Sequence, residues 1–154
     1  MPEKKRDFRG LCEAQWEQGN FVCVGLDSDC DRIPPHIKEM HADAPSAVLV
    51  FNEEIVSHTA DVAWGYKPNV AYYEALGPQG IEVLCLTVRF IKRISPDKPV
   101  ILDAKRGDIG STNLGYITAV FERYGVDAVT INPYLGLDDG LQPCLDQKEK
   151  GIIA

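Results

Sequence analysis

The sequence predicts a parallel α/β fold and, within that class, the N-terminal half of a (β/α)8 TIM barrel with about four βα units plus the start of a fifth strand. Three observations carry this expectation. Short apolar runs alternate with longer stretches whose apolar residues recur every three or four positions, and parallel neighbours are joined by helical crossovers. Each complete apolar run delivers a polar or charged residue at its C-terminal end, the arrangement that builds the mouth of a barrel. Neither a Gly-x-Gly-x-x-Gly nor a Gly-Lys-Ser/Thr loop follows the first run, so an open dinucleotide- or nucleotide-binding sheet has no support.

In chain order, Asp7 to Gln18 carries Phe8, Leu11, Cys12 and Trp16 at helical spacing and stops at Gly19-Asn20, a leading helix within residues 1–20. Residues 21–154 then hold βα units 1–4 and the start of strand 5, so 1–154 reads as a single incomplete domain. Phe21-Val-Cys-Val-Gly-Leu-Asp27 is the first strand, with a carboxylate at its end, followed by a polar loop containing Asp29, Asp31 and Pro34-Pro35. A helix is expected from near Pro45-Ser46 to Thr59, with Val48, Phe51 and Ile55 on its apolar stripe. Val62 to Lys67 is the second strand, ending in Lys67 before Pro68-Asn69. The clearest helix carries Ile81, Leu84, Cys85, Val88, Ile91 and Ile94 and closes into Ser95-Pro96-Asp97. The run from Pro99 to Asp108 is the third strand and its exit, where Asp103 and Lys105, two apart, are expected on one side of the strand. Asp108 lies beyond the turn at Gly107. Ser111-Thr112-Asn113 are expected to cap a helix with Leu114, Ile117, Phe121 and Tyr124, ended by Gly125. Asp127 to Asn132 is the fourth strand, Gly136 to Lys150 a loop and shorter helix, and Gly151 to Ala154 the start of the fifth strand.

Composition bounds the function. With 45% apolar and 25% charged residues the chain reads as soluble and globular. A net charge of -7 without a Lys/Arg cluster argues against nucleic acid as a partner, though local cations can hold a phosphorylated small molecule. No apolar stretch reaches the roughly 20 residues of a membrane span. Five cysteines, at 12, 23, 30, 85 and 144, form no Cys-x-x-Cys pair and no signal-like segment follows the charged start, which places the protein in a reducing cytoplasm. With His36, His41 and His58 they match no zinc pattern, so no metal is expected. Asp29, Asp31, Glu53 and Glu54 read as solvated surface.

An apolar strand that ends in Asp103, Lys105 and Asp108 is costly unless its charges pair. As structure it is an ion-pair network at a strand end; as chemistry it is an ammonium kept charged by flanking carboxylates. Such an ammonium stabilises negative charge as it develops and can donate a proton.

Leu102-Asp-Ala-Lys-Arg-Gly-Asp-Ile-Gly-Ser-Thr112 resembles the signature of the orotidine 5'-phosphate decarboxylases, Asp-x-Lys-x-x-Asp, met here by Asp103, Lys105 and Asp108. Val24-Gly-Leu-Asp27-Ser-Asp, Tyr66-Lys67-Pro-Asn-Val-Ala-Tyr-Tyr-Glu and Thr130-Ile-Asn-Pro-Tyr-Leu-Gly136 resemble the bacterial type 2 branch, and together the segments cover almost the whole chain. The resemblance implies a cytosolic dimeric barrel that converts orotidine 5'-monophosphate to uridine 5'-monophosphate (UMP) and carbon dioxide, the last step of making UMP, without metal or organic cofactor. Carried over residue by residue, Lys105 is the proton donor to C6 of the pyrimidine and Asp103 lies beside the substrate carboxylate. Lys67 and Asp108 complete an alternating Lys-Asp-Lys-Asp network, with Asp108, Ile109 and Thr112 reaching the partner subunit's site. Asp27 is implied to bond the ribose, and Asn69 and Asn132 to line the mouth.

Two other readings stand beside it. The related hexulose-phosphate synthases and keto-gulonate-phosphate decarboxylases share the motif and use magnesium, but place a Glu where this chain has Lys67, which disfavours a cation site. The third is a non-catalytic chain that acts by associating through an open sheet edge. A complete barrel takes roughly 250 residues, so Ala154 is not expected to be a natural end, and the family's phosphate-holding loops, with a late Arg, fall beyond it. The 154-residue polypeptide is therefore expected to be inactive alone and its full-length parent a decarboxylase.

Overall fold

The structure, a computed structural model, describes residues 6–154. A leading helix α1 (Phe8–Glu17) precedes β1 (Val22–Leu26), which pairs in parallel with β2 (Ala63–Pro68). A second parallel ladder joins β3 (Ile101–Arg106), β4 (Ala128–Ile131) and β5 (Gly151–Ile153). Parallel bridges from Tyr66 to Val100 and from Asn69 to Asp103 connect the ladders, so the strands follow one another in chain order as half of a (β/α)8 barrel.

The crossovers are helical, as parallel pairing requires. α2 (Pro35–Glu39) and α3 (Ala44–Thr59) lead from β1 to β2, and α4 (Val70–Glu74) and α5 (Pro78–Ile94) from β2 to β3. α6 (Gly110–Ile117), continued by the wider π-type turns of Thr118–Tyr124, leads to β4, and α7 (Gln142–Leu145) to β5. The core lies between strands and helices, with Leu26, Tyr66, Val100, Leu102 and Val126 from the sheet side and Val48, Val56, Leu84, Val88 and Ile91 from the helices all buried. β1 is an edge: Phe21 just before it is 70% exposed and Val22 59%.

Several local expectations are corrected. α3 starts at Ala44 because the Asp43 carboxylate accepts from the Ser46 amide at 2.8 Å, and its buried stripe is Ala47, Val48, Asn52 and Val56, with Phe51 and Ile55 half-buried. α2, in a stretch read as a loop, and α4, in a stretch given no element, are five residues each, too short for apolar periodicity to register. α4 is nonetheless capped, since Asn69 Oδ1 accepts from the Ala71 amide at 3.2 Å. Ser111, Thr112 and Asn113 do not cap α6: the helix begins at Gly110 with Ile109 at the cap position, so all three fall inside it. The buried Asn113 amide instead donates to the carbonyls of Asp108 and Gly140, at 2.7 and 2.8 Å. Of the acids read as surface, Asp31 and Glu54 are exposed while Asp29 and Glu53 are half-buried.

α1 packs under the N-terminal ends of the strands. Trp16 stacks on Trp64 with ring centroids 6.1 Å apart, and a Cβ on Gly151 would meet the Phe8 ring at 2.5 Å. A closer approach still joins α4 to α5, where a Cβ on Gly80 would stand 1.9 Å from the Tyr73 carbonyl oxygen. In an open helix, Gly→Ala stabilises by about 1 kcal/mol. Gly80→Ala is expected to do the opposite and destabilise by about 1–3 kcal/mol through overpacking. Gly115→Ala, where a Cβ meets nothing within 4 Å, is expected to be neutral or mildly stabilising. Urea midpoints of the two variants against the native chain check this.

Candidate active site

Lys67, one residue from the end of β2, and Asp103 and Lys105 of β3 converge at the C-terminal mouth of the sheet. Lys67 Nζ donates to Asp103 Oδ2 and Lys105 Nζ to Asp103 Oδ1, each at 2.6 Å. Thr130 of β4 donates its hydroxyl to the same Oδ1 at 2.9 Å. Exposure rises across the cluster: the side chain of Asp103 is 11% exposed, that of Lys67 34% and that of Lys105 71%. Burial alone would raise the Asp103 carboxyl, but the hydrogen bonds from Lys105, Lys67 and Thr130 outweigh it and hold the group at about 2. The cluster therefore keeps one carboxylate ionised and presents one positive charge in excess, its outermost ammonium reaching into solvent.

The sheet makes this cluster by bending a rule. Leu102 pairs with Val129 and Arg106 with Ile131, so Asp103, Ala104 and Lys105 stand against Thr130 alone. That is a bulge, the device by which a strand re-aims side chains near a site. Lys105 has φ 47°, the left-handed region, and is the only non-glycine residue with positive φ among the described residues. Such a conformation costs on the order of 1–3 kcal/mol and persists only where its surroundings over-determine it. Asp103 and Lys105 do meet, but through this bulge and not through the simple two-residue alternation expected of a strand.

The other expected residues divide. Asp27, exposed just after β1, accepts from Asn69 Nδ2 at 3.5 Å, so these two share one side of the mouth. Asn132 is turned to local work, its Oδ1 accepting from the Tyr134 backbone amide at 3.1 Å and its backbone N–H donating to Arg106 O at 2.8 Å. Gly107 passes so near that a Cβ there would meet Asn132 O at 2.7 Å. Asp108 accepts from the Ile109 amide at 2.7 Å and forms no ion pair with Lys67 or Lys105, so within this chain the Lys-Asp-Lys part of the network assembles without its fourth member. Ile109 is 60% exposed and Thr112 half-buried at the start of α6. Arg106 is tied to Glu74 of α4 and lies over the Tyr116 ring at 5.3 Å.

Two features escaped sequence reasoning. Thr130 is one; its only signal is a hydroxyl residue in the otherwise apolar Ala-Val-Thr-Ile strand. The other is a buried network behind Asp27, in which Ser28 donates to Asn52, Asn52 Nδ2 donates to Tyr73 Oη at 3.0 Å and Thr87 Oγ1 at 3.1 Å, and Tyr73 donates to Leu26 O at 3.2 Å. An Asn on the buried stripe of one helix and a Thr on that of the next were its signal. Burial raises the Tyr73 hydroxyl well above its ordinary value, so it serves as a neutral donor. Among the described residues no group of three or more His, Cys, Asp or Glu is placed to hold a metal ion.

Residues 20–153 match the family described as "Orotidine 5'-phosphate decarboxylase / HUMPS family". An orotidine 5'-phosphate decarboxylase from Janthinobacterium sp. is 43% identical over 142 residues, 91% of this chain and 49% of the relative. Leishmania donovani OMP decarboxylase is similar in structure with a TM-score of 0.79 and 32% identity, over 95% of this chain and 52% of that one. Leishmania donovani UMP synthase has a TM-score of 0.81 and 30% identity, over 96% of this chain and 29% of that one. The chain spans about half the length of the curated relatives it matches. With a match running from the first strand into the last and the Asp-x-Lys-x-x-Asp residues carried on β3 and its exit loop, the chain belongs to the orotidine 5'-phosphate decarboxylase / HUMPS family.

Proposed function

We propose that this chain supplies the catalytic half of an orotidine 5'-phosphate decarboxylase, which converts orotidine 5'-monophosphate to UMP and carbon dioxide in pyrimidine biosynthesis. The observation that carries the reading is the Asp103 carboxylate held between two ammonium groups at 2.6 Å. When the bond from C6 to the carboxylate breaks, its electron pair stays on C6 as a poorly delocalised carbanion. Lys105 is the group to stabilise that charge and to hand C6 a proton, because its side chain is the more exposed of the two lysines. Asp103, ionised above the acid range, repels the substrate carboxylate more before it departs than after. Lys67 balances that charge with its ammonium on Asp103 Oδ2, at the position where the magnesium-dependent relatives place a Glu, which weighs against that branch of the family.

Asp27 with Asn69 is the pair to meet the ribose hydroxyls, with Asn132 at the rim. Asp108, Ile109 and Thr112 act across a homodimer interface in this reading. Its support is the apolar surface around them, with Ile109 60%, Leu114 57%, Tyr134 93% and Leu135 54% exposed. The phosphate is held by the second half-barrel, matching the half-length that this chain spans in its relatives. Five free cysteines accord with a reducing cytoplasm, and among the described residues no helix is long and apolar enough to cross a membrane.

The purified 154-residue polypeptide is expected to leave the ultraviolet absorbance of orotidine 5'-monophosphate unchanged. Joined to the C-terminal half of the Janthinobacterium relative it is expected to turn the substrate over. Lys105→Ala in that protein is expected to lower kcat by about 10⁴-fold or more, the combined scale of losing a proton donor and an electrostatic stabiliser. A folded assembly without turnover would overturn the reading. Excess EDTA is expected to leave the rate unchanged; dependence on added magnesium would favour the magnesium-using relatives instead.

Asp103 also makes stability depend on pH. Its carboxyl is lowered from 3.8 to about 2 on folding, so its contribution is present above pH 4 and is lost as pH falls towards 2. At 11% side-chain exposure that contribution is about 2 kcal/mol. Urea unfolding is expected to show Asp103→Asn less stable than the native chain at pH 5, with the gap closing by pH 2.

A further inference from the structure

Three residues of β3 face one residue of β4, and the one is Thr130. The bulge takes the amides of Ala104 and Lys105 out of the ladder, and both donate instead to Thr130 Oγ1 at 3.0 Å. The same oxygen gives its proton to Asp103 Oδ1 at 2.9 Å. A hydroxyl has one proton and two lone pairs, so every bond Thr130 can make is spent on this three-residue segment.

We infer that Thr130 is a positioning residue: its hydroxyl holds the Asp103–Lys105 bulge in the shape that turns both charges towards the mouth. Lys105 adopts a left-handed conformation that a side-chain-bearing residue rarely takes, and the Thr130 bond to its amide opposes relaxation. Valine has the same shape without the hydroxyl; it strands two amides and withdraws one of the three side-chain donors to Asp103, leaving Lys67 and Lys105. Serine keeps the donor and both acceptors. The catalytic consequence rests on the decarboxylase reading, but the structural role does not.

Two measurements test it. In the chain joined to the Janthinobacterium half-barrel, Thr130→Val is expected to lower kcat by roughly 100-fold, the scale of a misplacement of about 1 Å, with KM little changed, while Thr130→Ser stays near the native rate. In the 154-residue chain, the ¹³C-detected titration of the Asp103 carboxyl is expected to move to higher pH in Thr130→Val and to stay in place in Thr130→Ser. If Thr130→Val does not fold, Thr130→Ala removes the same hydroxyl with less bulk. A hydroxyl-free variant that is folded and keeps the native Asp103 titration overturns the inference, and so does a serine variant that fails as the valine one does. If the native assembly shows no turnover, the decarboxylase reading falls while the titration still decides the role of Thr130.

Discussion

Arg6 forks onto both oxygens of Asp127, at 2.8 Å each, while Lys92 reaches Oδ1 at 3.3 Å and the Val100 amide reaches Oδ2 at 3.0 Å. The Asp127 side chain is 2% exposed. Burial of that degree pushes a carboxyl up, yet Arg6 and Lys92 keep it below its ordinary value, because four donors replace the water it has lost. The bonds tie the segment before α1, the last turn of α5 and the starts of β3 and β4 to one atom group. Around it the backbone continues the tie: the Asp127 amide donates to Val100 O at 2.8 Å and the Gly151 amide to Asp127 O at 3.0 Å. The register of three strands is set here, at the end opposite the mouth. Everything the mouth does depends on that register, since it decides that Thr130 and no other residue meets the bulge in β3.

Asp103 and Asp127 are the same residue type, each flanked by cations at one end of the sheet, and their surroundings send them to different work. Asp127 lies where α1 closes over the strands, and a backbone amide and two cationic side chains satisfy it from every side. Asp103 lies at the open end, where Lys105, while bonded to it, is 71% exposed and faces solvent. A carboxylate whose partners are largely buried stabilises; one whose partnering ammonium also faces solvent can do chemistry. This is the division of a barrel into a stabilising end and a reactive end.

Alternating apolar runs and helical stripes were sufficient to read the parallel fold, because burial against helices forces that pattern on the residues themselves. Strand-end charges were legible for the opposite reason: Lys67, Asp103 and Lys105 are conspicuous where apolar residues are the rule. What stayed hidden depends on geometry with no period. The bulge that brings Asp103 and Lys105 together leaves no trace in a pattern of two, and a single φ of 47° at Lys105 follows from the partner strand, not from local preference. Thr130 and Asn52 were hidden because a buried hydroxyl or amide is informative only once its partners are known. Ser111-Thr112-Asn113 misled in the same way, since residues able to cap a helix do so only if the chain turns at that point, and here the cap position falls two residues before Ser111, at Ile109.

The cluster at the mouth is also asymmetric in what it can supply. In the proposed decarboxylase, two ammonium groups against one carboxylate act on charge at the reacting carbon, and such groups accelerate a reaction only so far as they hold the transition state better than the substrate. Affinity for a nucleotide comes mainly from groups that grip it far from the reaction, above all its phosphate. The described mouth residues Asp27, Lys67, Asn69, Asp103, Lys105 and Asn132 contain two cations, and both are committed to Asp103. A phosphate bound by either would take from Asp103 one of the donors that hold its carboxyl at about 2, and with it the charge pattern that the proposed reaction uses. Chemistry and grip therefore require separate sets of residues, and in a barrel of consecutive βα units they are most simply drawn from different halves.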